Sequence, residues 1–105
     1  MSGQGSGPVF KPDLYIVTRV IEKLLQSKEG ALKRTQLQMK SGLNWNVFTR
    51  YLNLLLSRDL AVIESRRDGE YIVATDQGRK AYRLLIESIA GILGERWMEQ
   101  ERRRP

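Results

Sequence analysis

Apolar residues recur along most of the chain at helical spacing. Leu14, Ile16, Val17, Val20, Ile21, Leu24 and Leu25 repeat three and four apart, which predicts one apolar helical face. Asp13 is placed to cap that helix, and Gly30 to end it. Ala31, Leu32 and Lys33 leave room for a very short strand. Thr35 is the expected cap of a second, short helix to about Ser41, with Leu37 and either Met39 or Lys40 at its inner edge. Gly42 breaks that helix, and Leu43 and Asn44 open a third. Its inward stripe is Phe48, Tyr51, Leu52, Leu55 and Leu56, and it ends near Arg58 and Asp59.

The period then shortens. Residues 61–64 read as a strand, Asp68-Gly69 is a hairpin-turn dipeptide, and Tyr71, Ile72 and Val73 form the returning strand. Thr75 caps a last helix that is expected to run from Asp76 to about Gln100. The predicted fold is mainly α with a small, two-stranded β-hairpin. Two helices joined by a short Gly-containing turn, followed by a hairpin and a long C-terminal helix, make a winged helix-turn-helix. The expected division is a flexible N-terminal tail over 1–12, a winged-helix domain over 13–75, a dimerisation helix over 76–101 and a basic tail over 102–105.

Composition narrows the function. The 105 residues suffice for one domain, and 41% hydrophobic with 29% charged residues is ordinary for a globular one. The chain has no cysteine and no histidine. Thiolate nucleophiles, the commonest general base and the commonest metal ligands are therefore missing. No Gly-rich phosphate loop and no convergent carboxylate pair is visible, so no catalytic residue, metal or cofactor is expected. No apolar run reaches the length of a membrane span, and residues 1–12 lack the basic and apolar regions of a signal peptide.

Charge adds a partner. The net charge is +6, and the sequence pI is about 10.0. Between Lys28 and Arg58 lie six basic residues and one acid, Glu29, so this segment supplies +5 of the total. A basic balance concentrated on the second and third helices points to an anionic partner.

Three groups of residues are candidates for contact with double-stranded DNA. The outward face of the third helix carries Asn46, Val47, Thr49, Arg50, Asn53 and Leu54, with Asn44 at its start. Asn suits adenine, Arg guanine or phosphate, and Thr or Val a thymine methyl. Lys33, Arg34, Thr35 and Gln36 begin the second helix, where free N–H groups favour a phosphate. Arg66 and Arg67 lie at the hairpin tip, flanked by Asp68 and Glu70. Trp45 is expected to plug the space between the second and third helices, and Tyr51 to be core.

The last helix is apolar on more than one side. Ala81, Leu84, Leu85 and Ser88 are expected to pack on the domain, leaving Tyr82, Ile86, Ile89, Leu93 and Trp97 as a second stripe. Self-association of that stripe is the expected outcome, with Gly91 near the crossing point.

The run from Thr35 through Gly42-Leu43-Asn44-Trp45, then Phe48-Thr-Arg-Tyr51-Leu52-Asn-Leu-Leu55-Leu56, resembles a family of small archaeal winged-helix proteins. So does Thr75-Asp-Gln-Gly78-Arg79 at the start of the last helix. The family comprises predicted transcriptional regulators and chromatin proteins of the Sulfolobus 10a type, and the resemblance covers about residues 13–98. Where the family usually has Gly after the third helix, this chain has Asp59, which also tolerates a left-handed backbone. The resemblance implies binding of double-stranded DNA, a nucleoid-associated cytoplasmic location, and a homodimer formed by antiparallel pairing of the last helices. No small-molecule effector and no membrane partner are expected. The other function class open to this fold is a winged-helix protein–protein interaction module within a larger complex.

Overall fold

The structure is a computed structural model that describes residues 10–94. α1 spans Leu14–Leu25, and its first turn is closed by Asp13, whose carboxylate accepts the Tyr15 N–H at 2.8 Å. Its apolar stripe buries Val17, Val20, Ile21 and Leu24. A single 3-10 turn at Lys28–Gly30 then leads into β1, Ala31–Leu32.

α2 spans Arg34–Ser41, so Lys33 and not Thr35 occupies the cap position. Lysine offers no oxygen, and the Gln36 side chain turns back to accept the Lys33 N–H at 3.0 Å instead. Starting at Arg34, the helix buries Leu37 completely and points Met39 outward at 74% exposure, so Met39 is no part of the inner edge. Gly42, at φ 70°, ends α2 in the left-handed conformation. α3, Trp45–Ser57, starts three residues later, and the Asn44 side chain accepts the Val47 N–H at 2.9 Å. Phe48, Tyr51, Leu52 and Leu55 are buried, as their spacing requires.

β2, Ala61–Arg66, and β3, Gly69–Ala74, form the hairpin, in register from Ala61 opposite Ala74 to Arg66 opposite Gly69. The sheet has three strands and not two. β1 pairs with β3 through Ala31–Val73 and Leu32–Ile72, giving the order β1-β3-β2. α4, Asp76–Leu93, follows Thr75, whose hydroxyl oxygen accepts the Gly78 N–H at 2.9 Å. Gly94 caps α4, and the rest of the expected span, with Trp97, the N-terminal residues 1–9 and the basic residues 102–105, lies outside the described residues.

One core joins these elements. Val20, Ile21 and Leu24 of α1 meet Leu37, Phe48, Leu52, Leu55 and Ile72. Each fully buried side chain of this kind stabilises the fold by about 1.5–3 kcal/mol relative to exposure. The α3 stripe thereby locks the rotational setting of that helix, which decides what its other side shows to solvent. Two hydrogen bonds reinforce the placement. The Asp13 N–H donates to the Tyr51 hydroxyl at 2.9 Å, and Arg19 Nη1 donates to Ser41 O at 3.1 Å, tying α3 and the end of α2 to α1.

Candidate nucleic-acid interface

The face of α3 opposite its buried stripe carries Asn46, Arg50 and Asn53, all exposed and three or four residues apart. Arg50 makes no ion pair among the described residues. The other residues expected on this face differ. Val47 and Leu54 are half-buried against the core. Thr49 is half-buried, and its hydroxyl donates to Trp45 O at 2.8 Å. Asn44 is exposed, but its carbonyl oxygen is committed to capping α3. Trp45 is a correction. It is 49% exposed, with its ring 5.7 Å from that of the fully buried Phe48, because the first turn of α3 places it at the rim of the core.

Lys33 and Arg34 are not free at the start of α2. Lys33 Nζ lies 3.6 Å from Asp68 Oδ2 and Arg34 Nη2 lies 3.9 Å from Glu70 Oε1, so both reach across to the hairpin. β1 brings them there, since its pairing with β3 sets residue 33 beside the turn at Gly69, whose added β carbon would lie 3.8 Å from the Lys33 side-chain tip. Thr35 and Gln36 are exposed, with the Gln36 carbonyl oxygen used in the cap.

The hairpin has its own polar cluster around Tyr71. Its hydroxyl donates to Asp68 Oδ2 at 2.7 Å, its ring lies 4.5 Å from the Arg66 guanidinium carbon, and Lys33 Nζ lies 5.7 Å from the ring centre. Arg66 also pairs with Glu64 at 2.6 Å, and that hydrogen bond raises its pKa. The Tyr71 hydrogen bond lowers the Asp68 carboxyl, with Lys33 adding to the effect. The same hydrogen bond raises the Tyr71 phenol, and desolvation adds to it. Arg67 is exposed and forms no ion pair among the described residues. Asp68 and Glu70 are thus partners of α2 rather than of Arg66 and Arg67. Their nearness to Arg66 and Arg67 in the sequence showed the charges but not which cation each would meet.

On α4 the stripe expected to face the domain, Ala81, Leu84, Leu85 and Ser88, lines a groove with α1 and α3 residues, whereas Tyr82 departs from the second stripe. Tyr82 and Leu85 pack against the core, whereas Leu84 is 64%, Ile92 80% and Leu93 66% exposed. Ile86 and Ile89 are half-buried. Leu84 and Leu85, with Leu14, Leu54 and Leu60, line an apolar groove of about 380 Å³ that Arg58 borders. Among the described residues no cluster of acids, histidines and cysteines is arranged to hold a metal, and no helix is long and apolar enough to cross a membrane.

A family model described as winged helix-turn-helix matches residues 17–90. No curated protein matches the sequence. Among solved structures, a MarR family transcriptional regulator from Streptomyces coelicolor superposes with a TM-score of 0.68 at 17% identity, over 74% of this chain and 55% of its own. The chain therefore spans about half the length of that regulator. A winged-helix DNA-binding protein from STIV gives 0.60 at 19% identity, over 76% of this chain and 89% of its own. Sso10a-2, a DNA-binding protein from Sulfolobus solfataricus, gives 0.57 at 16% identity, over 90% of this chain and 99% of its own. At these identities the likeness is one of fold.

Proposed function

The chain belongs to the winged helix-turn-helix family, and from that premise we propose that it binds double-stranded DNA with α3 in the major groove. The observation that carries this reading is the face formed by Asn46, Arg50 and Asn53. It is exposed, holds a cation without an ion pair among the described residues, and lies in the segment that supplies most of the net positive charge. Asn46 and Asn53 are suited to adenine, and Arg50 to guanine or phosphate. Arg67, Thr35 and the N–H groups at the start of α2 are suited to the phosphates. The DNA-binding proteins with the same fold support the assignment.

We further propose a homodimer through α4, acting as a transcriptional regulator or a chromatin-architectural protein associated with the nucleoid. Ile92 and Leu93 leave apolar surface in water, and Gly91 beside them has open space where a β carbon would stand. Pairing two such helices would cover that surface and set two recognition helices about a two-fold axis. The test is anisotropy of a labelled duplex over a salt series. The expected result is binding at low salt that weakens steeply as salt rises, and no binding at low salt overturns the reading.

A further inference from the structure

The three acids of the hairpin each meet a cation. Glu64 holds Arg66 at 2.6 Å, Asp68 faces Lys33 at 3.6 Å, and Glu70 faces Arg34 at 3.9 Å. The last two pairs differ from the first in joining separate elements. Their cations stand at the start of α2, where a phosphate would be received, and their acids belong to the hairpin. A carboxylate and a phosphate oxygen make the same kind of bond to an ammonium or guanidinium, so the two compete for the same donors and the same positive charge.

We propose that Asp68 and Glu70 are built-in competitors of the DNA phosphates for Lys33 and Arg34, setting the affinity of the protein for duplex DNA below what its cations alone would give. The inference rests on the DNA-binding reading above. Both pairs are exposed enough to be displaced. Lys33 and Arg34 each keep 38% of their side-chain surface in solvent, and Asp68 and Glu70 keep 62% and 59%. Exposed pairs of this kind are weak and screened by salt, so a polyanion can replace them. Tyr71 holds the competitor, because its hydroxyl donates to Asp68 Oδ2 at 2.7 Å, the same oxygen that Lys33 Nζ faces at 3.6 Å.

The test compares anisotropy of one labelled duplex at fixed low salt for the unmodified protein, Asp68→Asn, Glu70→Gln and the double variant. Asp68→Asn retains a favourable turn dipeptide before Gly69, so the hairpin is preserved. Each single substitution should tighten binding by about 1.5- to fivefold, the range set by the strength of an exposed pair. The salt slope should steepen by about one for each cation released. The decisive comparison repeats Asp68→Asn on Lys33→Met and Glu70→Gln on Arg34→Met. Competition predicts that the gain disappears in those backgrounds. A gain that persists there overturns the proposal, since it would come from simple repulsion between acid and phosphate. Equal or weaker binding by Asp68→Asn and Glu70→Gln, with the unmodified protein binding normally, overturns it while leaving the DNA-binding reading intact. Failure of every protein to bind removes both.

Discussion

Gly78 sits directly against Leu60: a β carbon at Gly78 would lie 2.1 Å from the Leu60 carbonyl oxygen. The same oxygen accepts the Thr75 N–H at 3.2 Å, and the Thr75 hydroxyl donates to Asp59 O at 2.6 Å while accepting the Gly78 N–H at 2.9 Å. The Thr75-Asp-Gln-Gly78 segment is thus a clamp that fastens the start of α4 to the turn leaving α3. Gly78→Ala should cost about 2–3 kcal/mol, since backbone and not a flexible side-chain tip must move. Urea denaturation monitored by circular dichroism measures the loss. An unchanged midpoint would mean that the close approach is not maintained.

On α3, stability and recognition should separate by residue. Asn44→Ala removes the cap on Val47 N–H and should cost about 1 kcal/mol of stability. Arg50→Ala should leave stability nearly unchanged, weaken duplex binding across sequences if Arg50 meets phosphate, and reduce the salt slope by about one. Denaturation and anisotropy on the same two variants check the division.

The hairpin cluster sets a pH window. Asp68 is held below its ordinary value, so its contribution is present at neutral pH and is lost as pH falls through that lowered value, beneath the usual carboxylate range near about 3.9. Tyr71 is held above its ordinary value, so its contribution is present below about pH 10 and is lost as pH rises through the raised value. Tyrosine absorbance of the protein minus that of Tyr71→Phe should show a phenol that ionises later than free tyrosine. An ordinary titration would show that the Asp68 bond is absent in solution.

The α4 surface predicts an assembly. Ile92→Glu with Leu93→Glu, both at exposed positions, should leave a folded monomer with much weaker DNA affinity. Gly91→Ala should add about 1 kcal/mol to the helix of a monomer but weaken the dimer if the two helices cross there. Sedimentation of the unmodified protein at tens of micromolar decides the matter, and a monomer there would end the dimer proposal.

Elements whose signals are local were legible in the sequence. Asp13, Asn44 and Thr75 cap the helices they are placed to cap, and Asp59 takes the left-handed φ of 59° that Asp tolerates. The inward stripe of α3 followed from spacing alone. Features that depend on distant pairing were not legible. β1 gains its strand character from β3, a partner some forty residues away, and that pairing also moves the start of α2 to Arg34 and carries Lys33 to Asp68. Periodicity placed Trp45 at an inner angle but could not say that the first turn of α3 stands at the rim of the core. The spacing on α4 places Ala81, Leu84, Leu85 and Ser88 beside Leu14 and Leu60, but it could not show that Tyr82 also packs against the core.

The central claim is that the α3 face meets DNA, and amide chemical-shift mapping during titration with a short duplex at low salt tests it most directly. The account predicts that shifts and broadening concentrate on Asn46, Arg50, Asn53, Thr35 and Arg67. Perturbation confined to α4, or none anywhere at low salt, would contradict it.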